Sequence, residues 1–216
     1  MLHGFRKIGV FQSQAEIDAS PIQDGAVPGS FKFWDANGDG EITYDFQDYV
    51  EIGNPHPEFV YSFNMGLDYK ALDFNIVFTG AQNYEVFTEI EHTTMNMDGV
   101  FNVETKAADR FRYTTMSGDG PTSNFWKWER EGNSYYISDA SHVWLRSLSI
   151  GYTIPINENS FLNGVRVYVN GDNLLLFTDY EYGNPQPDDR TGLRPGVDES
   201  PYPLARTISL GATLKF

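Results

Sequence analysis

Apolar and polar residues alternate along several long runs of the chain, and this alternation limits the possible folds more than any other feature. In Phe59–Tyr69 every second residue is apolar, and the residues between are mostly small or polar. The same pattern occurs in Leu72–Thr79, Trp144–Ile154, Val165–Asn170 and Thr207–Phe216. Because successive side chains of a β-strand point to opposite faces, each run predicts a strand with one apolar face. An all-β fold follows.

The lengths of these runs suit strands that cross a membrane. A tilted transmembrane strand needs roughly 9–11 residues, which is about the length of the three longest runs. Tyr, Trp and Phe near the ends of the runs resemble the aromatic girdles of membrane barrels. The alternation assigns Trp144 and Arg146 to the apolar face of their run. A soluble β-sandwich also alternates in this way, so the pattern alone leaves both folds open.

The connections between the runs alternate in length. Three are long, about 12–58, 82–142 and 175–205, and two are short, Tyr69–Ala71 and Pro155–Asn163. Outer-membrane barrels have short periplasmic turns and long extracellular loops, so the long connections are predicted to be extracellular. With a first strand near Gly4–Phe11, the chain predicts about six antiparallel strands. Six strands do not close a barrel, so the remaining strands must come from upstream sequence or from another chain.

The acidic residues are concentrated in the long connections. The net charge is -15, and the long connections hold all but four of the 30 acidic residues. This balance excludes nucleic acid and polybasic membrane binding, which both require basic surface. Arg146 and Arg206 are the exceptions to a nearly uncharged apolar face. Both lie near the predicted external strand ends, where a long side chain can reach lipid headgroups.

The beginning of the chain, Met1–Lys7, has no apolar run of the kind that a signal peptide contains. If the protein is exported to the outer membrane, the signal must lie upstream, and we expect the chain to be a fragment. There are no cysteines, which excludes disulfides and thiolate metal sites.

Six motifs resemble one known family along nearly the whole chain, in the same order. They are Gly9–Ile17, Trp34–Ile42, Ile52–Pro57, Val143–Pro155, Val167–Leu174 and Tyr202–Gly211. Each motif alone is weak, but the ordered set resembles the C-terminal barrel region of SusC/RagA-type TonB-dependent outer-membrane transporters.

This resemblance implies a barrel of about 22 strands with an N-terminal plug. It also implies a SusD-like surface lipoprotein, the TonB complex and outer-membrane lipid as partners, and import of glycans or peptides. The plug and the TonB box are absent from this sequence. Terminal Phe216 resembles the signal that barrel-assembly machinery reads, and it also fits an aromatic girdle.

An acidic motif at residues 35–42 predicts a calcium loop. Asp35, Asn37 and Asp39 occupy the first three ligand positions of an EF-hand-type loop, and Glu41 would contribute its backbone carbonyl. Phe46 stands where the bidentate acid is expected, so Asp45 or Asp48 would substitute. The alternative is a turn in which Asp and Asn side chains bond to the local backbone.

Aromatic residues in the longest connection are candidates for substrate contact, because aromatic rings stack on sugars. They are Trp126, Trp128, Tyr135 and Tyr136. The alternative is packing within the loop. The four histidines are scattered without metal-ligand spacing, and no phosphate loop or nucleophile motif indicates an enzyme.

We therefore predict a wall segment of a SusC-like importer in the outer membrane of a Gram-negative bacterium. Two alternatives remain at this stage. One is a soluble, calcium-stabilised β-sandwich that binds carbohydrate. The other is a structural barrel component without transport activity.

Overall fold

The computed structural model describes residues 1–95, 102–112, 132–156, 161–187, 194–199 and 202–216. Its strands in chain order are β1 (Leu2–Gly4), β2 (Lys7–Val10), β3 (Ile22–Gln23), β4 (Phe31–Phe33), β5 (Glu41–Ile42), β6 (Val50–Gly53), β7 (Phe59–Tyr69), β8 (Leu72–Gln82), β9 (Glu85–Thr88), β10 (Ile137–Asp139), β11 (His142–Ile154), β12 (Gly164–Thr178), β13 (Val197–Asp198) and β14 (Thr207–Lys215). The α-helices in the described ranges are α1 (Gln14–Asp18) and α2 (Glu89–Thr94). No helix in these ranges is both long and apolar enough to span a membrane.

The chain divides into two compact units, each assembled from three segments. Unit 1 contains Met1–His56, Glu85–Ser138 and Pro187–Pro201, and unit 2 contains Pro57–Tyr84, Asp139–Gln186 and Tyr202–Phe216. The three long connections fall mainly in unit 1, whereas the long alternating runs form unit 2. That the connections are extracellular stays a prediction.

Unit 2 is built on one antiparallel sheet of five long strands, which confirms the predicted all-β fold. The spatial order is β14-β12-β11-β8-β7, and each neighbouring pair is antiparallel. In the described residues β7 and β14 each pair on one side only, so the sheet is an open wall with two free edges.

The prediction of a first membrane strand at Gly4–Phe11 is wrong. The segment forms the two short strands β1 and β2, which pair with β6 and β4 in unit 1. The physical reason is that its apolar residues do not share one exposed face. Phe5, Val10 and Phe11 are all buried, and the last two are sequence neighbours. The long sheet therefore has five strands.

The face assigned to Trp144 and Arg146 is also wrong. Register shifts between Leu145 and Ser147 in both pairings of β11, so a β-bulge interrupts the alternation. Trp144 lies opposite Thr79, on the polar face. Strict period-2 counting through the bulge placed these two residues on the apolar side.

Unit 1 has a conventional buried core beneath short strands. The core consists of Phe5, Val10, Phe31, Phe33, Ile42, Met95, Ala107, Phe111 and Tyr136. The ring of Phe5 stacks on Phe33 with centroids 5.1 Å apart. Burying aromatic rings in this way removes a large apolar area from water and stabilises an otherwise irregular unit.

Candidate functional site: the two faces of the sheet

The apolar face of the five-stranded sheet is exposed. Its side chains that remain at least partly open to the surroundings include Phe59, Tyr61, Phe63, Met65, Leu67, Tyr69, Leu72, Ile150, Tyr152, Ile154, Val167, Val169, Leu175, Phe177, Ile208, Leu210 and Leu214. Phe63 is 55% exposed and Leu210 is 81% exposed. A soluble monomer rarely leaves so large a contiguous apolar surface uncovered.

A β-sandwich would bury this face against a second sheet. The five-stranded sheet is the only sheet that the described part of unit 2 contains, and its apolar residues Phe63 and Leu210 are not buried. The soluble sandwich is therefore not supported by the structure.

The opposite face is polar, and its side chains bond across the strands. Asn75 Nδ2 donates to Asn64 Oδ1 at 3.2 Å, and Ser149 Oγ donates to Asn170 Oδ1 at 2.7 Å. These pairs satisfy amides and hydroxyls along a wall that the sequence pattern predicted to be polar.

An ion pair lies on the polar face towards the short turns. Arg166 Nε donates to Asp73 Oδ1 at 2.8 Å and Nη2 donates to Asp73 Oδ2 at 2.5 Å, which is a bidentate pair. Gly151 lies beneath this pair, because a Cβ there would stand 2.4 Å from the guanidinium and the carboxylate. Sequence reasoning missed the pair, although opposite charges at polar positions of neighbouring runs are a usable signal.

A second arginine, Arg146, lies on the polar face towards the long connections. Its Nε donates to Thr79 Oγ1 and its Nη1 donates to Asn173 Oδ1, both at 3.2 Å, and its Nη2 donates to Gln186 Oε1. The guanidinium carbon lies 4.0 Å from the centre of the Trp144 ring. Arg146 therefore does not extend towards lipid headgroups from the apolar face, as the sequence had predicted.

The predicted calcium loop is closed by its own hydrogen bonds. Asp35 accepts from the backbone N–H of Gly38 at 2.6 Å and of Gly40 at 2.8 Å, and Asp39 accepts from that of Glu41 at 2.9 Å. Asn37 Oδ1 accepts from the N–H of Asp39. These contacts fit the local turn that was the alternative interpretation.

Asp48 lies apart from the exposed part of that loop. It is buried, and its two carboxylate oxygens accept from the N–H groups of Ala36 and Thr43 at 3.1 and 3.3 Å. Across the described ranges, no group of three or more His, Cys, Asp or Glu side chains is placed to hold a metal ion. Calcium binding by Asp35, Asn37, Asp39, Glu41 and Asp48 stays a prediction.

The four aromatic candidates for substrate contact have different positions. Trp126 and Trp128 lie outside the described residues. Tyr136 is 1% exposed within the unit 1 core, and its carbonyl accepts from Thr88 Oγ1. Tyr135 is half-buried and packs on Phe31, with ring centroids 5.0 Å apart. The buried ring of Tyr136 is a packing element, so substrate contact through that ring is not supported.

Two titratable groups in unit 1 are perturbed by burial. Lys7 Nζ lies 4.6 Å from the ring centres of both Phe31 and Tyr135, and burial lowers the pKa of Lys7 to about 8, with partial opposition from Glu91. Burial raises the pKa of Glu91, against the attraction of Lys106 Nζ at 3.6 Å. Neither residue was singled out from the sequence.

Phe216 lies beside another exposed ring. The centroids of Phe216 and Phe161 are 5.5 Å apart, and both rings are largely exposed. The backbone N–H of Asn163 donates to the carbonyl of Lys215 at 2.7 Å, which fixes the end of β14. The role of Phe216 as an assembly signal stays a prediction.

The open five-stranded sheet, with one apolar and one polar face, defines the chain as a segment of a β-barrel wall. No protein-family model matches the chain. TonB-dependent receptor P26 of Formosa agariphila is 34% identical over 99% of the chain and 22% of its own length. TonB-dependent receptor SusC of Bacteroides thetaiotaomicron is 24% identical over 96% of the chain and 19% of its own length.

The solved structure of the RagAB peptide importer in its open-open state shares the fold. It covers 99% of the chain and 22% of its own chain, with a TM-score of 0.76 and 17% sequence identity. The resemblance drawn from the motifs is thereby confirmed, since nearly the whole chain is similar to a segment of TonB-dependent receptors that include SusC, and it shares the fold of the RagAB importer. It spans about a fifth of the length of the relatives it matches. None of these relatives is named as an enzyme.

Proposed function

We propose that the chain forms part of the wall of an outer-membrane importer, with its apolar face on lipid and its polar face towards the transport path. The observation that carries the proposal is that one face of the sheet carries nearly all of the exposed large apolar side chains of its strands, whereas the other face is mostly polar. A strand wall in lipid requires this arrangement, with every backbone group paired to a neighbouring strand.

The finer part of the proposal concerns cargo and partners. We propose peptides as the cargo because a structural relative is named a peptide importer, and glycans because the sequence motifs resemble SusC/RagA-type transporters. We also propose a SusD-like lipoprotein outside, a plug and the remaining strands from the rest of the receptor, and energy from the TonB complex. These assignments are drawn from similarity to the relatives. The chain itself spans only about a fifth of the length of each relative.

Fractionation of cells that express the intact receptor tests the location. We expect the receptor in the outer-membrane fraction, with detergent required to extract it, and recovery as a soluble protein would contradict the proposal. Uptake of glycans or peptides is then measured with and without TonB. Loss of uptake without TonB supports import, whereas an outer-membrane protein with no TonB-dependent uptake would favour a purely structural role.

A further inference from the structure

Arg146 differs from the cations that form ion pairs in the described part of the chain. Arg166, Arg194, Lys32 and Lys106 each pair with a carboxylate. Arg146 has only neutral partners, namely Thr79, Asn173 and Gln186. The chain carries 30 acidic residues, but within the described ranges none of them pairs with this guanidinium.

The hydrogen bonds of Arg146 leave part of its donor set unused. A guanidinium has five N–H donors, and the three bonds use one each from Nε, Nη1 and Nη2. One N–H remains on each Nη atom. These two N–H groups are available to an anion, and a guanidinium suits the oxygens of a carboxylate or a sulfate.

The surroundings hold the guanidinium in one orientation. The Trp144 ring beneath it is 4% exposed, and the guanidinium carbon lies 4.0 Å from the ring centre. Asn173, with a positive φ of 52°, also donates from Nδ2 to the carbonyl of Ala205 at 3.2 Å, so its acceptor oxygen is fixed as well. A fixed guanidinium loses less entropy when it binds an anion.

Two further buried polar atoms lie next to this cluster. Trp144 Nε1 and His142 Nε2 have no hydrogen-bond partner, and their rings are 6.3 Å apart. An unpaired buried polar atom costs stability, and a bound group that supplies its missing partner removes that cost. Their position, on the polar face near the start of β11, coincides with that of Arg146.

We propose that Arg146, stacked on Trp144, is a recognition site for the carboxylate or sulfate group of a solute that passes along the polar face. This inference rests on the proposed function, because it requires that the polar face borders the transport path. It adds a charge preference, so the receptor favours anionic over neutral forms of the same glycan or peptide.

The test measures binding by the intact purified receptor in detergent, without uptake. The probes are tetragalacturonate and its methyl ester, and tetraglycine and its C-terminal amide. We expect the wild type to prefer the anionic form of at least one pair by about ten-fold, as one charge-assisted pair provides. Arg146→Gln should abolish the preference, and Arg146→Lys should retain part of it.

Lys215→Gln is the matched control, since Lys215 is on the same polar face and its loss removes the same charge. We expect this variant to keep the preference. Equal binding of charged and neutral probes by the wild type would overturn the proposal, as would equal loss in both variants. A wild type that shows no preference, together with a lower unfolding temperature of the Arg146→Gln receptor, would also overturn the proposal. That result would indicate that Arg146 forms a structural ion pair with a carboxylate elsewhere in the receptor. The binding measurements do not depend on TonB-driven uptake. Loss of the charge preference can therefore be distinguished from failure of the proposed import function, which is tested by fractionation and uptake.

Discussion

The two units place the same kinds of side chain in opposite environments. In unit 1, Phe31 and Phe33 are at most 2% exposed, whereas in unit 2 Phe63 is 55% exposed on the apolar face of the sheet. Hydrophobic burial is what stabilises a fold in water, so unit 1 has the organisation of a water-soluble structure. Unit 2 requires an apolar medium on one face. Residue type alone therefore does not determine burial, because burial also depends on the medium around each face.

Of the substitutions considered, truncating a buried aromatic ring of unit 1 should change local stability the most. We expect Phe33→Ala to lower the local unfolding free energy of unit 1 by about 3–5 kcal/mol, because it leaves a cavity. Hydrogen exchange at the amides of β2 and β4 in the intact receptor measures this change. The matched variant Phe63→Ala should change exchange in β7 much less. Similar losses at the two positions would remove the contrast between the units.

A charge on the apolar face should be the next largest effect. We expect Leu210→Arg to destabilise the receptor in phospholipid bilayers by about 2–4 kcal/mol, the cost of a cation near the bilayer midplane. Ser209→Arg, one residue earlier and on the polar face, should change stability far less. Urea titration of the bilayer-embedded receptor gives both values. If the two variants are equally tolerated, the apolar face does not contact lipid.

Calcium should affect unit 1 alone. If the loop at residues 35–42 binds the ion with a dissociation constant on the order of 10⁻⁴–10⁻³ M, then 5 mM calcium stabilises the unit by about 1–2 kcal/mol. Hydrogen exchange at β4 and β5, with and without calcium, detects this. Asp39→Ala should abolish the effect, and Asp24→Ala, outside the loop, should retain it. An unchanged exchange pattern with calcium would leave the loop as a hydrogen-bonded turn.

Breaking the Asp73–Arg166 pair should weaken unit 2 slightly. Asp73→Asn is expected to lower the urea midpoint of the receptor at low salt, and the difference should shrink at high salt, because both side chains are about one-third exposed. Asp68→Asn is the control. Asp68 lies opposite Asp73, so its neutralisation removes repulsion and should not destabilise. A salt-independent loss in Asp73→Asn would mean that the pair acts through packing.

The smallest predicted effect is a pH response of unit 1. The pKa of Lys7 is about 8 in the fold against 10.5 without burial, so the unfolded chain binds more protons between these values. The free energy of unfolding of unit 1 should therefore rise as pH increases from about 8 to 10.5. Below pH 8 Lys7 is charged in both the folded and the unfolded state, so the full cost of burying the cation lowers the stability of the fold. Hydrogen exchange in β2, corrected for intrinsic rates, follows this. Lys7→Met should flatten the profile, and a persistent slope would assign it to another group.

Sequence reasoning predicted the strands that obey period 2 along their whole length. Phe59–Tyr69 and Thr207–Lys215 were found with their faces correct, because each face of a long strand has one environment. The same reasoning failed at Arg146, since a bulge adds one residue and reverses the count. It failed again at Gly4–Phe11, where burial on both sides permits adjacent apolar residues. A bulge and a two-sided core leave no periodic signal.

The candidate sites were harder to predict than the fold. Arg166 and Asp73 are 93 residues apart in sequence and meet only through the register of β8, β11 and β12. Tyr136 looked like an exposed loop aromatic, but a short 3-10 helix at Ser134–Tyr136 turns its ring into the core. Contacts of this kind depend on tertiary pairing, which composition and spacing do not encode.

The central claim is that the apolar face of the sheet contacts lipid. Spin labels placed singly along β14 of the intact receptor in bilayers test it, by comparing relaxation by oxygen with relaxation by a water-soluble nickel complex. We predict that labels at 208, 210, 212 and 214 meet oxygen, and that labels at 209, 211 and 213 meet the nickel complex. A pattern without this alternation, or nickel access at 210, would contradict the account.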